Sequence, residues 1–453
     1  MAKTKTVYIC QNCGVESPKW IGRCPSCNEW NSYVEEIISG AVKKTTRGGR
    51  PAAVPELISE IPSADQPRMN THSREFNRIL GGGIVPGSVI LIGGEPGIGK
   101  STLALQVAIR MPAVKTLYIS GEESSRQIKL RADRIEHGEG DCYILCETNL
   151  EAIYTHLHNM KPGLIITDSV QTLQTDNIES PAGSVSQIRE CAAGLLRYAK
   201  ETATPVLLIG HITKEGSLAG PKVLEHIVDV VLQFEGDHNH FYRVLRSSKN
   251  RYGSTSEIGL YEMQSNGLRE VDNPSEILIT RHEEDISGMA ISAMVDGMRP
   301  FLIEIQALVS TAAYGTPQRS STGFDLRRLS MLLAVLEKRA GFRLSSKDVF
   351  LNVAGGLKVT DPGTDLAVIT AILSSDTDLP VARDICLAGE VGLSGEIRPV
   401  GRLEQRIAEA EKMGFNKIVI SSFNKKAGLR EKHKIEILQA GKVEQLIRMI
   451  LKP

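Results

Sequence analysis

The sequence lacks any long hydrophobic run: no apolar stretch among its 453 residues reaches the roughly 18 that a membrane-spanning helix needs. Net charge is also absent, with 53 basic and 53 acidic residues, so binding to nucleic acid would have to come from local patches. The first residues, MAKTKTVYIC, lack the apolar core of a secretory signal, and we expect a cytoplasmic protein with no membrane partner. A length of 453 residues suggests about three domains.

Cysteine is scarce and unevenly placed: four of the eight cysteines lie in the N-terminal stretch CQNCGVESPKWIGRCPSCNEW. In a reducing compartment such clustering favours a metal over disulfides. Two C-x2-C pairs can complete a closed tetrahedral shell, which predicts a structural Zn²⁺ site; two disulfides or a thiol redox motif are the alternatives. The predicted ligands are Cys10, Cys13, Cys24 and Cys27. The remaining cysteines are predicted to be small buried hydrophobes, namely Cys142, Cys146, Cys191 and Cys386.

Changes in composition divide the chain into four segments. Residues 1–36 form the four-cysteine zinc finger, and residues 37–67 form a linker rich in proline, glycine and charge. Residues 68–272 carry a nucleotide-binding pattern, and residues 273–453 form a C-terminal domain. For the basic start of the linker, 43–50, we expect a solvated tether, with phosphate contact as the alternative.

The most informative stretch is GSVILIGGEPGIGKSTLALQVAIRM, in which a G-x4-G-K-[ST] pattern separates a short apolar run from a helical pattern. The apolar run is typical of a buried parallel strand. The glycines allow backbone N–H groups to surround phosphate oxygens at a helix N-terminus. We predict a nucleoside triphosphate site in which Lys100 reaches the β- and γ-phosphates and the Ser101 hydroxyl ligates Mg²⁺. The predicted loop residues are Gly94, Glu95, Pro96, Gly97, Ile98, Gly99, Lys100 and Ser101.

Strand and helix patterns alternate after this loop, which predicts an α/β fold with a mainly parallel sheet and helices on both faces. Ligands bind at the carboxyl ends of such strands, where Glu122, Asp168 and His211 are expected. Glu122 is the candidate that polarises the attacking water, and Glu123 is its competitor; a plain surface carboxylate is the alternative. Asp168 suits an indirect hold on Mg²⁺. His211 would face the nucleotide or be a satisfied, non-catalytic histidine.

Two long polar loops follow core strands, at 169–184 and 210–222. Loops of this length with little hydrophobicity are usually functional or disordered. In a ring or filament ATPase they would face the axis and hold DNA, whereas a plain surface loop is the alternative.

The stretch SSKNRYGSTS, residues 247–256, places two cations two positions apart. If it is a strand, Lys249 and Arg251 lie on the same face. Two fixed positive charges on one face suit a negatively charged partner. A solvated edge strand that deters aggregation and a direct contact with DNA are the competing interpretations.

The phosphate loop, Glu122, Asp168 and the two polar loops resemble the core of a RecA-type ATPase. Together with the four-cysteine head, the linker and KNRYG at 249–253, they closely resemble the bacterial RadA (Sms) family of recombination and DNA-repair proteins, over essentially the whole chain. The pentapeptide of that family normally has phenylalanine where this chain has Tyr252.

The resemblance implies a motor that hydrolyses ATP and acts on single-stranded or branched DNA. It also implies a homo-hexameric ring, a helicase-like activity with branch migration, and a recombinase as partner. In RecA-type ATPases each nucleotide lies at a subunit boundary. Lys249 and Arg251 would therefore meet the γ-phosphate of a neighbouring subunit and neutralise transition-state charge, like arginine fingers.

The C-terminal third resembles the proteolytic domain of Lon proteases, notably in GEVGLSGEIRPVG at 389–401. That chemistry needs a serine nucleophile and a lysine base. The motifs place these positions at Gly363 and Glu404, so we expect no protease activity; Thr364 with Lys358 is the alternative pair.

The expected role of the C-terminal third is an assembly and DNA-binding platform. Its candidate DNA contacts are Arg281, Arg319, Arg327, Arg328 and Lys347. The expected architecture is a zinc ribbon or knuckle, a RecA-like P-loop ATPase core and a Lon-protease-like α/β domain. An ATP-dependent protease and an ATP-assembled scaffold without motor activity are the competing functions.

Overall fold

A computed structural model describes residues 4–11, 14–39, 57, 59, 67–135, 140–211, 222–236, 242–280, 284–312, 315–424 and 432–450. Cys13, Arg281, nearly all of the predicted linker and most of the loop at 210–222 lie outside these ranges. The chain divides into two compact units, Met1–Glu235 with Arg243–Glu270 and Gly236–Tyr242 with Val271–Pro453.

The N-terminal residues form a small antiparallel sheet. Its strands are β1 (Thr4–Cys10), β2 (Glu16–Ser17) and β3 (Tyr33–Ser39), and β1 lies in the middle. Cys10, Cys24 and Tyr33 form its small buried cluster. A cluster of this size cannot supply much hydrophobic stabilisation, which agrees with a segment that depends on a metal for folding.

A mixed sheet forms the centre of the first unit. Its strands are β4 (Val89–Gly94), β5 (Thr116–Ser120), β6 (Cys142–Cys146), β7 (Leu164–Asp168), β8 (Val206–His211), β9 (Val230–Glu235), β10 (Tyr242–Asn250), β11 (Ile258–Gln264) and β12 (Gly267–Glu270). They lie in the order β12-β11-β10-β9-β4-β8-β7-β5-β6. Strands β4 to β9 pair in parallel, and β10 pairs antiparallel with β9. The predicted mainly parallel sheet is confirmed.

Helices cover both faces of this sheet. They are α1 (Arg74–Ile79), α2 (Lys100–Arg110), α3 (Ser125–Arg134), α4 (Leu150–Met160), α5 (Val185–Thr202) and α6 (Lys222–Ile227). Alternate residues of β4 enter different cores: Ile90 and Ile92 pack with α2, whereas Val89 and Leu91 pack with α4 and α5. This alternation is the reason that β4 is buried along its whole length.

Three sequence expectations in this unit are wrong in detail. The strand expected to run to Glu122 ends at Ser120, and SSKNRYGSTS is a strand only as far as Asn250. Arg251 therefore lies in the turn that follows, not on the strand face with Lys249. Cys146 is exposed and Cys142 half-buried, because β6 is the edge strand of the sheet.

The second unit is built on another mixed sheet. Its strands are β13 (Met289–Asp296), β14 (Arg299–Thr311), β15 (Arg319–Thr322), β16 (Lys347–Val353), β17 (Ile385–Ala388), β20 (Lys417–Ser421) and β21 (Glu436–Ala440), and a small hairpin consists of β18 (Glu390–Val391) and β19 (Ile397–Arg398). Its helices are α7 (Pro274–Leu278), α8 (Leu326–Ala340), α9 (Asp365–Thr377), α10 (Leu403–Lys412) and α11 (Val443–Ile450). The predicted hairpin around Asp296-Gly297 and the helix stop at Gly341, with φ of 80°, are confirmed. No helix in the described parts of either unit is long and apolar enough to cross a membrane.

Candidate nucleotide-binding site

The phosphate loop connects the carboxyl end of β4 to the N-terminus of α2. Gly99 caps that helix with a φ of 116°, a conformation that glycine adopts without strain. A Cβ atom at Gly94 would lie 3.0 Å from both Ile98 Cγ2 and Phe234 Cβ, so a side chain there would force the loop to shift. The loop therefore presents its backbone at a helix N-terminus, the arrangement that binds phosphate.

Lys100 is the buried cation of this loop. It is 4% exposed, and its Nζ donates to the carbonyl oxygens of Gly94 and Glu95, both at 2.8 Å. Burial lowers the pKa of Lys100 to about 8, although the nearby charges of Asp168, Glu122 and Glu95 act in the opposite direction. These carbonyl acceptors hold the ammonium where phosphate oxygens would replace them.

Asp168 ends β7 beside this lysine. It is buried, with 7% exposure, and Tyr118 donates its hydroxyl hydrogen to Asp168 Oδ2 at 2.6 Å. Burial, followed by the charge of Asp168, raises the pKa of Tyr118 well above its ordinary value. Tyr118 therefore remains a neutral donor that orients the Asp168 carboxylate.

Glu122 and Glu123 are adjacent in the sequence but contact different residues. Ser169 donates its hydroxyl hydrogen to Glu122 Oε1 at 2.5 Å, while Arg131 forms an ion pair with Glu123. The negative charge of Glu122 is among those that favour the charged form of Lys100. The structure thus brings Glu122 into the group with Lys100 and Asp168, and assigns Glu123 to the support of α3.

His211 and the polar loop at 169–184 were also predicted to lie at the carboxyl edge of the sheet. His211 is the last residue of β8, and its backbone lies opposite Gly94 in the parallel pairing; its side chain is not among the described ones. The loop at 169–184 is held in place by Gln187, whose amide bonds the backbone of Thr175, Ile178 and Ser180.

The KNRYG pentapeptide lies at the opposite end of the sheet from the phosphate loop. Arg251 Nη1 is 3.3 Å from Oδ1 of the buried Asp229, and Asp229 Oδ2 accepts from the backbone N–H of Val89, at the start of β4. Since β4 ends at Gly94, about 17 Å of strand separates the two places. Within one chain the pentapeptide does not reach the phosphate loop.

The two cations of the pentapeptide are differently engaged. Lys249 Nζ donates to the carbonyl oxygens of Glu225 at 2.6 Å and Val228 at 2.8 Å, so it caps the C-terminus of α6. Burial, then repulsion by Arg251, lowers the pKa of Lys249. The Arg251 side chain is 56% exposed and is the cation available to a partner.

Tyr252 stands where the similar family normally has phenylalanine. In this structure the Tyr252 hydroxyl has a contact of its own. Lys200 Nζ lies 3.2 Å from Tyr252 Oη and also 2.7 Å from Asp229 Oδ2. The hydroxyl therefore joins the charged group around Asp229.

The cysteine cluster fits a tetrahedral metal. The Sγ atoms of Cys10, Cys24 and Cys27 lie within 4.8 Å of one another, and those of Cys10 and Cys27 are 3.6 Å apart. Sulfurs bound to one tetrahedral Zn²⁺ would be about 3.8 Å apart, whereas disulfide sulfurs would be about 2.05 Å apart. Zn²⁺ is therefore the metal that this thiol cluster fits, and disulfides among these three cysteines are excluded.

Cys10 and Cys24, the first cysteines of the two pairs, each begin a backbone turn. The N–H groups of Gly14 and Asn28 donate to the carbonyl oxygens of Cys10 and Cys24, at 2.8 and 2.9 Å, and both Gly14 and Asn28 have positive φ. These are matching turns at the two ends of the site. Cys13, the fourth predicted ligand, lies outside the described residues.

The position expected for a protease nucleophile is closed by a buried ion pair. A Cβ atom at Gly363 would lie 2.7 Å from Nη1 of Arg406, and this guanidinium bonds both carboxylate oxygens of Asp361, at 2.6 and 3.1 Å. The nearby Thr364 is fully buried, and its hydroxyl donates to the carbonyl oxygen of Asp361. Lys358 is exposed, and Glu404 lies in the first turn of α10.

Replacing Asp361 with asparagine is expected to destabilise the second unit by about 3–5 kcal/mol, because the Arg406 charge would stay buried without its partner. Arg406 and Asp361 are only 4% and 9% exposed. The measurement is the urea midpoint followed by circular dichroism. Asp285→Asn is the matched control: it breaks the exposed pair with Arg383 and should cost at most about 1 kcal/mol. Equal shifts for the two variants would contradict a structural role for the buried pair.

The basic residues proposed as C-terminal DNA contacts fall into two groups. Arg328 pairs with Asp365 and Lys347 pairs with Asp376, so these two are engaged in the fold. Arg319 and Arg327 are exposed.

Sequence reasoning missed several residues that the structure adds to these places. Ser169 directly follows Asp168, and this adjacency was a usable signal. No signal in the sequence indicates Tyr118 or Asp229. Only strand register brings Tyr118 to Asp168 and Asp229 to Arg251.

A phosphate loop, a buried lysine and two carboxylates at the carboxyl edge of parallel strands define a RecA-like P-loop ATPase, here with a zinc ribbon and a Lon-protease-like α/β domain. Family models agree: "Rubredoxin metal binding domain" matches residues 8–35, "AAA domain" 58–217 and "Lon protease (S16) C-terminal proteolytic domain" 336–453. The chain belongs to the RadA family of DNA repair proteins.

The full-length relatives carry that assignment. DNA repair protein RadA of Bacillus subtilis (strain 168) is 47% identical and covers 100% of both chains. DNA repair protein RadA of Listeria monocytogenes serovar 1/2a is 48% identical over 93% of each chain. The protein of the same name from Streptococcus pyogenes serotype M1 is 46% identical, over 99% of this chain and 100% of the relative.

Proposed function

We propose that this protein is a DNA-dependent ATPase motor that acts on single-stranded or branched DNA during recombinational repair. The observation that supports this most is the grouping of Lys100, Glu122 and Asp168 around a phosphate loop, in a chain whose relatives are DNA repair proteins. Its nucleotide is ATP, bound by the loop at 94–101. Branch migration and a helicase-like activity follow as the mechanical output.

In the proposed reaction, water attacks the γ-phosphorus of ATP and ADP leaves. Lys100 exchanges its carbonyl acceptors for phosphate oxygens, and Glu122, oriented by Ser169, polarises the water and accepts its proton. Ser101 and Asp168 are the residues that would hold Mg²⁺, which when bound neutralises phosphate charge. His211, at the end of the strand beside the loop, would face the nucleotide.

We assign Arg251 to the nucleotide of a neighbouring subunit, with Lys249 as the residue that supports it. The pentapeptide and the phosphate loop occupy opposite ends of β4, and this separation supports a head-to-tail assembly in which each subunit completes the next site. The proposed assembly is a homo-hexameric ring. Lys249 can join the γ-phosphate only by leaving the carbonyl oxygens of α6.

The proposed DNA contacts are the two polar loops at 169–184 and 210–222, which follow the strands that carry the nucleotide site. The C-terminal unit is proposed as an assembly and DNA-binding platform, with Arg319 and Arg327 as its exposed basic candidates. The Arg406 guanidinium beside Gly363 argues against a protease. A recombinase is the proposed protein partner.

The experiment that tests this proposal measures ATP hydrolysis with and without single-stranded DNA, for the wild type and Lys100→Ala. We expect DNA to stimulate the wild type, and the variant to bind DNA normally while its turnover falls about 100-fold or more. Lys129→Ala is the matched control, since Lys129 is an exposed lysine whose side chain is 70% accessible. Unchanged turnover in Lys100→Ala would refute the site, and wild-type turnover that DNA leaves unaltered would refute the motor.

A further inference from the structure

The zinc ribbon carries both tryptophans of the chain, and both are exposed. The sequence contains only two, Trp20 and Trp30, and they are 52% and 66% exposed. Large aromatic residues normally bury most of their surface, so an exposed pair on a small domain is the unusual observation that calls for a partner.

The two indoles belong to one surface. A Cβ atom at Gly22 would lie 3.7 Å from Cη2 of Trp20 and 3.9 Å from Cζ3 of Trp30, so both rings border the same glycine. Arg23 pairs with Trp30 across a β-bridge, and its guanidinium lies 5.6 Å from the Trp30 ring centroid. This cation–π contact orients the Trp30 ring.

We propose that Trp20 and Trp30 form a stacking platform for unpaired bases of single-stranded DNA; this inference rests on the proposed function. Every base has a flat π-face, so indoles bind single strands without reading sequence. The occupant is a nucleic acid strand and not a protein, because the exposed apolar area of the two indoles is too small for a stable protein interface. Two indoles exposed to this degree offer at most about 300 Å² of apolar surface, whereas a stable protein interface uses roughly 800 Å² from each partner.

Charge contributes little to this platform. Among the described side chains of this ribbon, the exposed cations Lys19 and Arg23 are outnumbered by exposed acids, namely Glu16, Glu29 and Glu35. Binding through phosphate attraction falls steeply as salt rises, whereas stacking does not depend on counterion release. The contribution of the two tryptophans to affinity is therefore expected to persist at high salt.

The test uses the intrinsic tryptophan fluorescence of the full-length protein. Trp20 and Trp30 are the two tryptophans of the sequence. Single-stranded oligo(dT) should quench it, and a duplex of equal length should not. The double variant Trp20→Ala/Trp30→Ala should bind oligo(dT) about tenfold or more weakly at low and high salt, with Zn²⁺ content and DNA-free ATP turnover unchanged. Val34→Ala, which alters a side chain of the same ribbon that is 50% exposed, should bind as the wild type.

The outcomes separate this inference from the proposed function. If oligo(dT) stimulates ATP turnover but neither quenches the fluorescence nor binds more weakly to the double variant, the platform is refuted and the motor stands. If the wild type binds no DNA, the proposed function itself fails. Quenching by a recombinase in the absence of DNA, with normal oligo(dT) affinity in the double variant, would also overturn the platform and assign the surface to protein. If the double variant loses Zn²⁺, Trp20→Phe/Trp30→Phe is compared with the wild type instead. This variant keeps aromatic rings and should retain most of the affinity for oligo(dT).

Discussion

Glu122→Gln is expected to lower ATP turnover by about 100-fold or more while ATP binding stays close to that of the wild type. An amide keeps the shape of the side chain and its contact with Ser169, but it cannot take a proton from water. General-base contributions of this kind are typically about 10²- to 10⁴-fold. The measurements are steady-state hydrolysis and equilibrium binding of a labelled nucleotide.

The adjacent residue provides the matched control. Glu123→Gln removes one partner of the ion pair with Arg131, on the helix that follows, and should leave turnover within about twofold of the wild type because a partly exposed ion pair contributes little. If Glu123→Gln is the inactive variant and Glu122→Gln hydrolyses ATP normally, the assignment of the two carboxylates is reversed.

Arg251→Ala is expected to lower turnover by about 1000-fold on its own, the scale typical of an arginine finger. An equimolar mixture with Lys100→Ala should regain DNA-stimulated activity, because a Lys100→Ala subunit can donate an intact Arg251 to a neighbour whose phosphate loop is intact. The distance along β4 between the pentapeptide and the loop of the same chain is the physical reason. Hydrolysis is measured for each variant and for the mixture.

Arg246→Ala, on the strand that precedes Arg251, is the control, since this arginine pairs with Glu235 and has no place in the proposed site. It should hydrolyse ATP as the wild type does. If Arg251→Ala alone turns over normally, the pentapeptide is not a finger. A direct DNA contact or protection of the sheet edge then becomes the better account.

The distinction between Arg251 and Lys249 became visible only in the structure. As sequence, KNRYG presents two equivalent cations at spacing i, i+2. The strand ends at Asn250 and the register shifts between Ser247 and Lys249, so the two side chains are not a matched pair on one face. Lys249 caps α6, and Arg251 projects from a turn beside Asp229.

The end of β5, which places Glu122, also became visible only in the structure. The apolar run of β5 predicted a strand but not its end, because what turns the chain is a contact with a distant segment. At Gly121 a Cβ atom would lie 2.1 Å from Thr172 Oγ1, so the backbone there passes close against the residues that follow β7. After this close approach, Glu122 accepts a hydrogen bond from Ser169 and Glu123 pairs with Arg131.

By itself the sequence determined the features whose atoms come from one contiguous stretch. The phosphate loop needs only its glycines, its lysine and the helix that follows, and each cysteine turn needs four or five neighbouring residues. Backbone geometry is local, so short patterns specify it. The parallel sheet also followed from the sequence, since apolar runs alternating with helical patterns leave few topologies.

Tertiary structure alone decided which distant side chains meet. Strand register brought Tyr118 to Asp168 and placed Arg251 at the far end of the sheet from its own phosphate loop. The packing of helix α10 set Arg406 against Gly363. The physical reason is that these contacts join residues tens to hundreds of positions apart. Their energy depends on burial and on charge pairing, and neither exists before the sheets are assembled.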